Sequence, residues 1–266
     1  MKPILAFFAL AFALSACQKT VHLNVGSTTP QLVITGEVTD QPPPYTVTLS
    51  NSEDFYSTNP YPSVSGAQVI IADQTLQQKD TLFETTTPGI YQTNSIVGTT
   101  GHTYGLTVNY SGKTYTAQST MPQAVELDDI SFYTQSYGKN QDIQPIPNFQ
   151  DPPGVQNDYQ FVLYVNNVRL PKTFVFSDRL SDGRYIHEPL NTDTSDLKAF
   201  DQLRIDMYCI DPNVYQYFFE VTQITDPGAQ AANAAPGNPT TNITGGALGI
   251  FSAHTVSSSS TNVPKM

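Results

Sequence analysis

The chain has 266 residues, with 12 Lys and Arg against 23 Asp and Glu and a formal charge of −11. A surface this acidic repels nucleic acid and anionic lipid headgroups, which excludes both as partners held by charge. Two cysteines exclude a disulfide framework, and 13% charged residues with abundant Thr, Val, Tyr, Ser and Pro favour β structure.

The first element is a targeting segment. An apolar run opens at Ile4 behind Lys2 and closes at Leu14-Ser15-Ala16-Cys17; it is about half of the ~20 residues that a membrane-spanning helix requires. That order of parts reads as a bacterial lipoprotein signal peptide, residues 1–16, cleaved before Cys17, which then carries lipid. The mature chain would have 250 residues and a charge of −12, so its membrane attachment rests on acyl chains, each buried methylene contributing about 0.8 kcal/mol. Residues 17–30 are polar, end at Pro30, and read as a lipidated tether.

From Leu32 the pattern changes to period two. Strands are expected over Leu32–Val38 and Tyr45–Leu49, separated by Pro42-Pro43-Pro44, then a long loop over 50–65, then strands at Ala67–Ala72, Thr81–Thr85, Gly89–Thr93, Thr103–Tyr110 and Lys113–Ser119. Pro88-Gly89 and Ser111-Gly112 supply turns, and Met121-Pro122 closes the block. About seven short strands with such turns predict an immunoglobulin-like β-sandwich over 31–122.

A second β-rich lobe, 123–256, starts near Val125. A Pro/Gln/Asn-rich loop is expected over Tyr137–Asn157, followed by strands at Tyr159–Val165, Thr173–Phe176 and Leu203–Ile210, the last with Leu203, Ile205, Met207 and Cys209 on one face. Cys209 reads as a small buried hydrophobe. Asp211 followed by Pro212 marks a helix start, and Val214, Tyr217, Phe218 and Val221 continue the spacing, so one helix is expected at 212–224. Residues 226–242 read as loop, Ala247–Ala253 as a last strand, and the serine-rich 257–266 as a disordered tail.

Catalytic signatures are sparse. The four histidines are His22, His102, His187 and His254, and no zinc-binding His-Glu-x-x-His, nucleophile turn or glycine-rich phosphate loop is present. A carboxylate pair of the glycosidase kind escapes spacing rules, because its members come from separate strands. No cofactor is implied and no metal is assigned. The acidic set Asp178, Asp182, Asp193, Asp196 and Asp201 could offer oxygen ligands to calcium, but it lacks the glycine and terminal glutamate of an EF-hand and reads as a solvated loop. Tyr56, Tyr61, Tyr133 and Tyr137 are candidate stacking platforms in long loops.

The segments Pro30–Asp40, Pro44–Ser50, Val64–Val69, Pro88–Tyr91, Ser177–Gly183 and Asn238–Phe251, in this order behind Cys17 and its tether, resemble the Bacteroidetes lipoproteins that carry domain of unknown function 4249. The match runs from Cys17 to about Val256. The first lobe, through Gly66-Ala67-x-Val69, Pro88-Gly89-x-Tyr91 and Tyr104-x-Leu106-x-Val108, is also similar to the transthyretin-like domains of carboxypeptidases. The family resemblance implies an outer-membrane lipoprotein, often associated with a TonB-dependent transporter. It transfers one residue role, lipid attachment at Cys17. Gln18–His22 lacks the acidic residues that export to the cell surface favours in this phylum, so both faces of the outer membrane stay open. The expectation is a mainly β, non-enzymatic binding or accessory module for nutrient uptake; a structural or adhesive surface lipoprotein is the alternative, and a glycan hydrolase the third reading. The ligand, whether small molecule, glycan or peptide, is unknown at this point.

Overall fold

The computed structural model describes residues 29–53, 61–137, 140–193, 196–225 and 237–265. The signal peptide of residues 1–16, Cys17 and the tether up to residue 28 lie outside the described residues, as does Tyr56. The chain is mainly β. Strands β1 (Leu32–Thr39), β2 (Thr46–Asn51), β3 (Gln68–Asp73), β4 (Gln78–Thr81), β5 (Phe83–Glu84), β6 (Ile90–Gln92), β7 (Thr103–Tyr110) and β8 (Lys113–Thr120) come first. They follow the period-two pattern: in β1, Leu32, Ile34 and Val38 are buried while Thr35 and Glu37 between them are exposed.

The second half contains β9 (Asp129–Tyr137), β10 (Asn140–Gln150), β11 (Asp158–Val165), β12 (Val168–Arg169), β13 (Phe174–Ser177), β14 (Tyr185–Ile186) and β15 (Gln202–Ile210), then helix α1 (Pro212–Thr225) and strand β16 (Leu248–Asn262). The helix starts where the Asp-Pro signal places it. The Asp211 carboxylate accepts from the N–H groups of Asn213 (2.8 Å) and Val214 (3.1 Å), capping two donors that the first helical turn leaves without partners. Among the described residues no helix is long and apolar enough to cross a membrane.

Three sheets form. The largest runs β12-β11-β15-β16-β1-β2-β6-β5, with β13 also on β11; β14-β10-β9 and β4-β3-β7-β8 are smaller. One core lies between β1, β2 and β16 and the four-stranded sheet, around Ile34, Val47, Ile71, Leu106 and Phe251. A second lies between β11, β15 and the β9–β10 layer, around Phe149, Phe161, Ile205 and Met207. Cys209 is buried in it, as expected, and burial pushes its thiol pKa up.

Strand β16 corrects two expectations. Its first half pairs in parallel with β1, from Val33↔Leu248 to Thr39↔His254, and its second half pairs antiparallel with β15, from Cys209↔Thr255 to Gln202↔Asn262. The serine run is therefore strand to Asn262 and not a disordered tail, and Val263 beyond it is 1% exposed. Serine has no apolar pattern to announce this. The ladder comes from β15, and the hydroxyls find partners: Leu127 N–H donates to Ser257 Oγ at 2.8 Å and Ser258 Oγ–H donates to Asp206 Oδ1 at 2.7 Å. The same strand crosses the expected boundary between lobes, because Ala247, Phe251 and Ala253 belong to the first core together with Ile243. Residues 31–122 do not close that core by themselves.

The expected loop over 137–157 is also corrected. Residues Asn140–Gln150 form β10, paired with β9 despite Pro145 and Pro147. The Pro145 carbonyl accepts from Leu190 N–H at 2.8 Å, so its backbone turns away from β9 and the missing proline N–H removes no ladder bond.

Candidate functional site

The β9–β10–β14 layer and α1 lie on opposite faces of the large sheet, and between them, at the edge where β13 ends the sheet, is a cavity of ≈ 700 Å³. That volume falls within the range typical of small-ligand sites. Phe161 of β11 and Phe174 and Phe176 of β13 form its aromatic floor, with Ile186 and Leu190 on one wall. Phe174 is the cross-strand neighbour of Phe161, which fixes the two rings on one face.

The opposite wall is α1. Val214, Tyr217 and Phe218 pack against Ile210 and Ile250 on the sheet; Tyr215 borders that cluster and, with Phe219 and Thr222 at spacings of four and three residues, lines the cavity. Phe219 is 40% exposed and stacks on Tyr215 with centroids 5.9 Å apart. Burial, then the nearby Asp158 charge, raises the Tyr215 pKa. Lys172, Glu188 and Asp193 supply charge at the rim. Lys172 Nζ stands 3.9 Å from Asp193 Oδ1 and 5.6 Å from the Phe174 ring centre, whereas Glu188 has no ion pair among the described residues. Such a site can hold an apolar body and place a charge at its mouth.

The acidic set is divided by the fold. Asp178 and Asp182 meet Asp151, with one carboxylate oxygen of each within 4.8 Å of the others. Each already accepts a backbone N–H: Asp151 from Gly183, Asp178 from Asn157 and Asp182 from Gly154. Tyr159 O–H donates to the other oxygen of Asp151 at 2.5 Å. Burial raises the Asp178 pKa, and the Asp151 and Asp182 charges add to the effect. Oxygens so placed match the donor type of a hard cation, and as found they tie the 151–154 turn to the 178–183 turn. Asp193 borders the cavity instead, Asp196 accepts from Asp193 N–H at 3.2 Å, and Asp201 accepts from Asn166 and Lys198.

The histidines stand apart. His102 Nδ1 lies 2.7 Å from Asp73 Oδ2, next to a cavity of ≈ 400 Å³ that Asp73 lines. The other Asp73 oxygen accepts from Thr75 and Leu76 N–H, so this pair secures the β3–β4 turn. His187 is exposed, His254 is buried within β16, and His22 lies outside the described residues. Tyr61 and Tyr133 are exposed, and neither lines a cavity described here. The sequence places Phe161, Phe174 and Phe176 on strands, but nothing in it gathers them into a site; the one signal on α1 is Phe219, an apolar position outside the stripe of Val214, Tyr217, Phe218 and Val221.

Comparison with known proteins gives a family match and no curated relative. The profile of a family described as a domain of unknown function, DUF4249, matches residues 18–260. A comparison with curated proteins returned no match.

Proposed function

The chain belongs to the DUF4249 family, and we propose that it is a non-enzymatic binding module of the outer membrane, anchored by lipid on Cys17 and serving as accessory to a TonB-dependent nutrient-uptake system. The cavity carries the binding part of this reading. Its walls are aromatic and aliphatic, its charges sit at the rim, and its volume suits a ligand rather than a buried solvent cluster. The anchoring part is supported by the apolar segment that ends at Leu14-Ser15-Ala16-Cys17. The net charge of −11 supports lipid rather than basic residues as the means of attachment.

Affinity capture of the protein from its own outer membrane in mild detergent, beside a Cys17→Ala control, tests both parts. Stoichiometric recovery of a TonB-dependent transporter with the acylated protein, and loss of the membrane pool in the control, is the expected result. Recovery of the acylated protein alone would overturn the accessory role, and a control that stays in the membrane would overturn the anchor.

A further inference from the structure

The geometry points to one occupant for the cavity: an extended segment of a partner polypeptide, added as a strand to the open edge of β13, apolar at its successive central positions and basic at its flanks. This rests on the reading of the cavity as a binding site and names what that site takes.

Among the described residues, strand β13 has one strand partner, β11. The phase of that pairing is fixed by the Asp178 N–H, which donates to the Asn157 carbonyl at 3.1 Å. Ser177 and Asp158 are therefore a non-hydrogen-bonded pair, Phe176 and Tyr159 exchange both bonds, and Val175, opposite Gln160, turns its N–H and C=O away from β11. Those groups point off the edge of the sheet, where no described strand lies.

The cavity begins at that edge. Thr173, Phe174, Val175 and Phe176 all line it. Successive strand residues point to opposite faces, Phe174 and Phe176 to the face of Phe161 and Thr173 and Val175 to the other, so a space that meets all four reaches round the strand's outer edge. The empty space thus lies where the next strand would run, with α1 above it and the β10–β14 layer below. An added strand matching the four residues of β13 would rise about 3.3 Å per residue. Alternate side chains would meet Phe219 and Thr222 on one side and Ile186 and Leu190 on the other. An open sheet edge flanked by apolar pockets is the arrangement that recognises peptides by strand addition.

Charge selects the flank. Glu188 and Asp193 are exposed carboxylates at the mouth, and Lys172, the cation of the lining, is already engaged by Asp193 and the Phe174 ring. A basic residue beside the apolar segment meets complementary charge there.

The protein has no tryptophan, so the peptide acetyl-KVWVK-amide reports its own binding by a blue shift of emission. The full chain should bind this peptide, and bind acetyl-EVWVE-amide at least about tenfold more weakly. Methylation of the tryptophan amide, or of both valine amides, blocks one edge or the other of the added strand; one of these two peptides should bind about tenfold more weakly than the parent, the scale of a lost backbone hydrogen bond with its neighbour desolvated. Val175→Pro removes the outward N–H without touching the β11 ladder and should weaken the peptide similarly, while the neutral apolar dye Nile red still binds. If both methylated peptides bind like the parent, strand addition is overturned, and this holds even if V175P fails to fold. Nile red binding with no peptide binding would also overturn it and leave the cavity as a small-molecule site. Binding of neither probe would remove the cavity reading itself.

Discussion

His254 should set how the protein responds to mild acid. It is 4% exposed, stacks on Tyr208 with ring centres 4.4 Å apart, and has Nδ1 3.0 Å from Ser252 Oγ. Burial disfavours the imidazolium and pushes its pKa down to about 4, from an ordinary value of 6.5. The unfolded chain therefore takes up this proton near pH 6.5 and the folded chain only near pH 4. The stabilising contribution is complete above pH 6.5, falls as pH drops through that window, and is gone below about 4. At ~1.4 kcal/mol per pH unit the gap corresponds to about 3 kcal/mol, a large share of the 5–15 kcal/mol typical of a folded domain. His254 is also the last residue of β16 that pairs with β1, and Thr255 the first that pairs with β15, so protonation acts where one strand changes partners. Urea unfolding of wild type and His254→Gln at pH 7, 6, 5 and 4 measures the effect. The variant should start less stable and lose about 3 kcal/mol less than wild type over that range. Two parallel stability curves would refute the reasoning.

Three other substitutions test the described contacts. Asp80 is buried and accepts the N–H groups of Asn94, Ser95 and Ile96; burial works to raise its pKa, and these donors outweigh it and hold the carboxyl below its usual range. Asp80→Ala should cost ~2–4 kcal/mol in urea unfolding, because the buried Ile96 N–H loses its partner while the neighbouring donors reach water. It should also erase the stability that wild type loses as pH falls from the unfolded carboxyl value through the lower folded one. Asp178 has the opposite sign: its raised pKa means that ionisation opposes folding, so Asp178→Asn should raise the thermal midpoint at pH 7 and confer no advantage below about pH 4, where both states hold the proton. Gly249 has φ +99 and a Cβ there would stand 2.0 Å from the Ile34 carbonyl oxygen; Gly249→Ala should lower stability by ~3 kcal/mol or more in thermal unfolding, and a neutral result would mean that β1 and β16 can separate without loss.

What could be read from the sequence was what each segment's own residues determine. Leu203, Ile205, Met207 and Cys209 alternate with more polar positions, and β15 buries all four of them. Asp211-Pro212 combines a capping carboxylate with a residue whose missing N–H costs nothing in the first turn, so α1 starts there. The features that escaped were those supplied by a partner. Pro145 and Pro147 suggest a loop until β9 is known to approach the side of β10 where proline needs no donor. Ser257 to Ser260 carry no apolar code, and only β15 makes a strand of them. The cavity draws on Phe161, Phe174, Ile186 and Phe219, four positions that no spacing rule connects. Asp151 was equally remote from Asp178 and Asp182 in sequence, and turns on both sides were needed to bring the three together.

The course of β16 has a consequence for biogenesis. Phe251 and Ala253 complete the first core and the serine run covers β15 beside the second, yet both are made after residue 247. The Val256 N–H donates to Asp40 Oδ1 across 216 positions of chain. A growing chain thus carries two unfinished cores at once, with the β1 and β15 edges open until the last segment arrives. Long-range closure of this kind is slow and leaves strands available for wrong pairings. A fragment ending near residue 122 lacks the strand that completes the first core and should aggregate rather than behave as a domain.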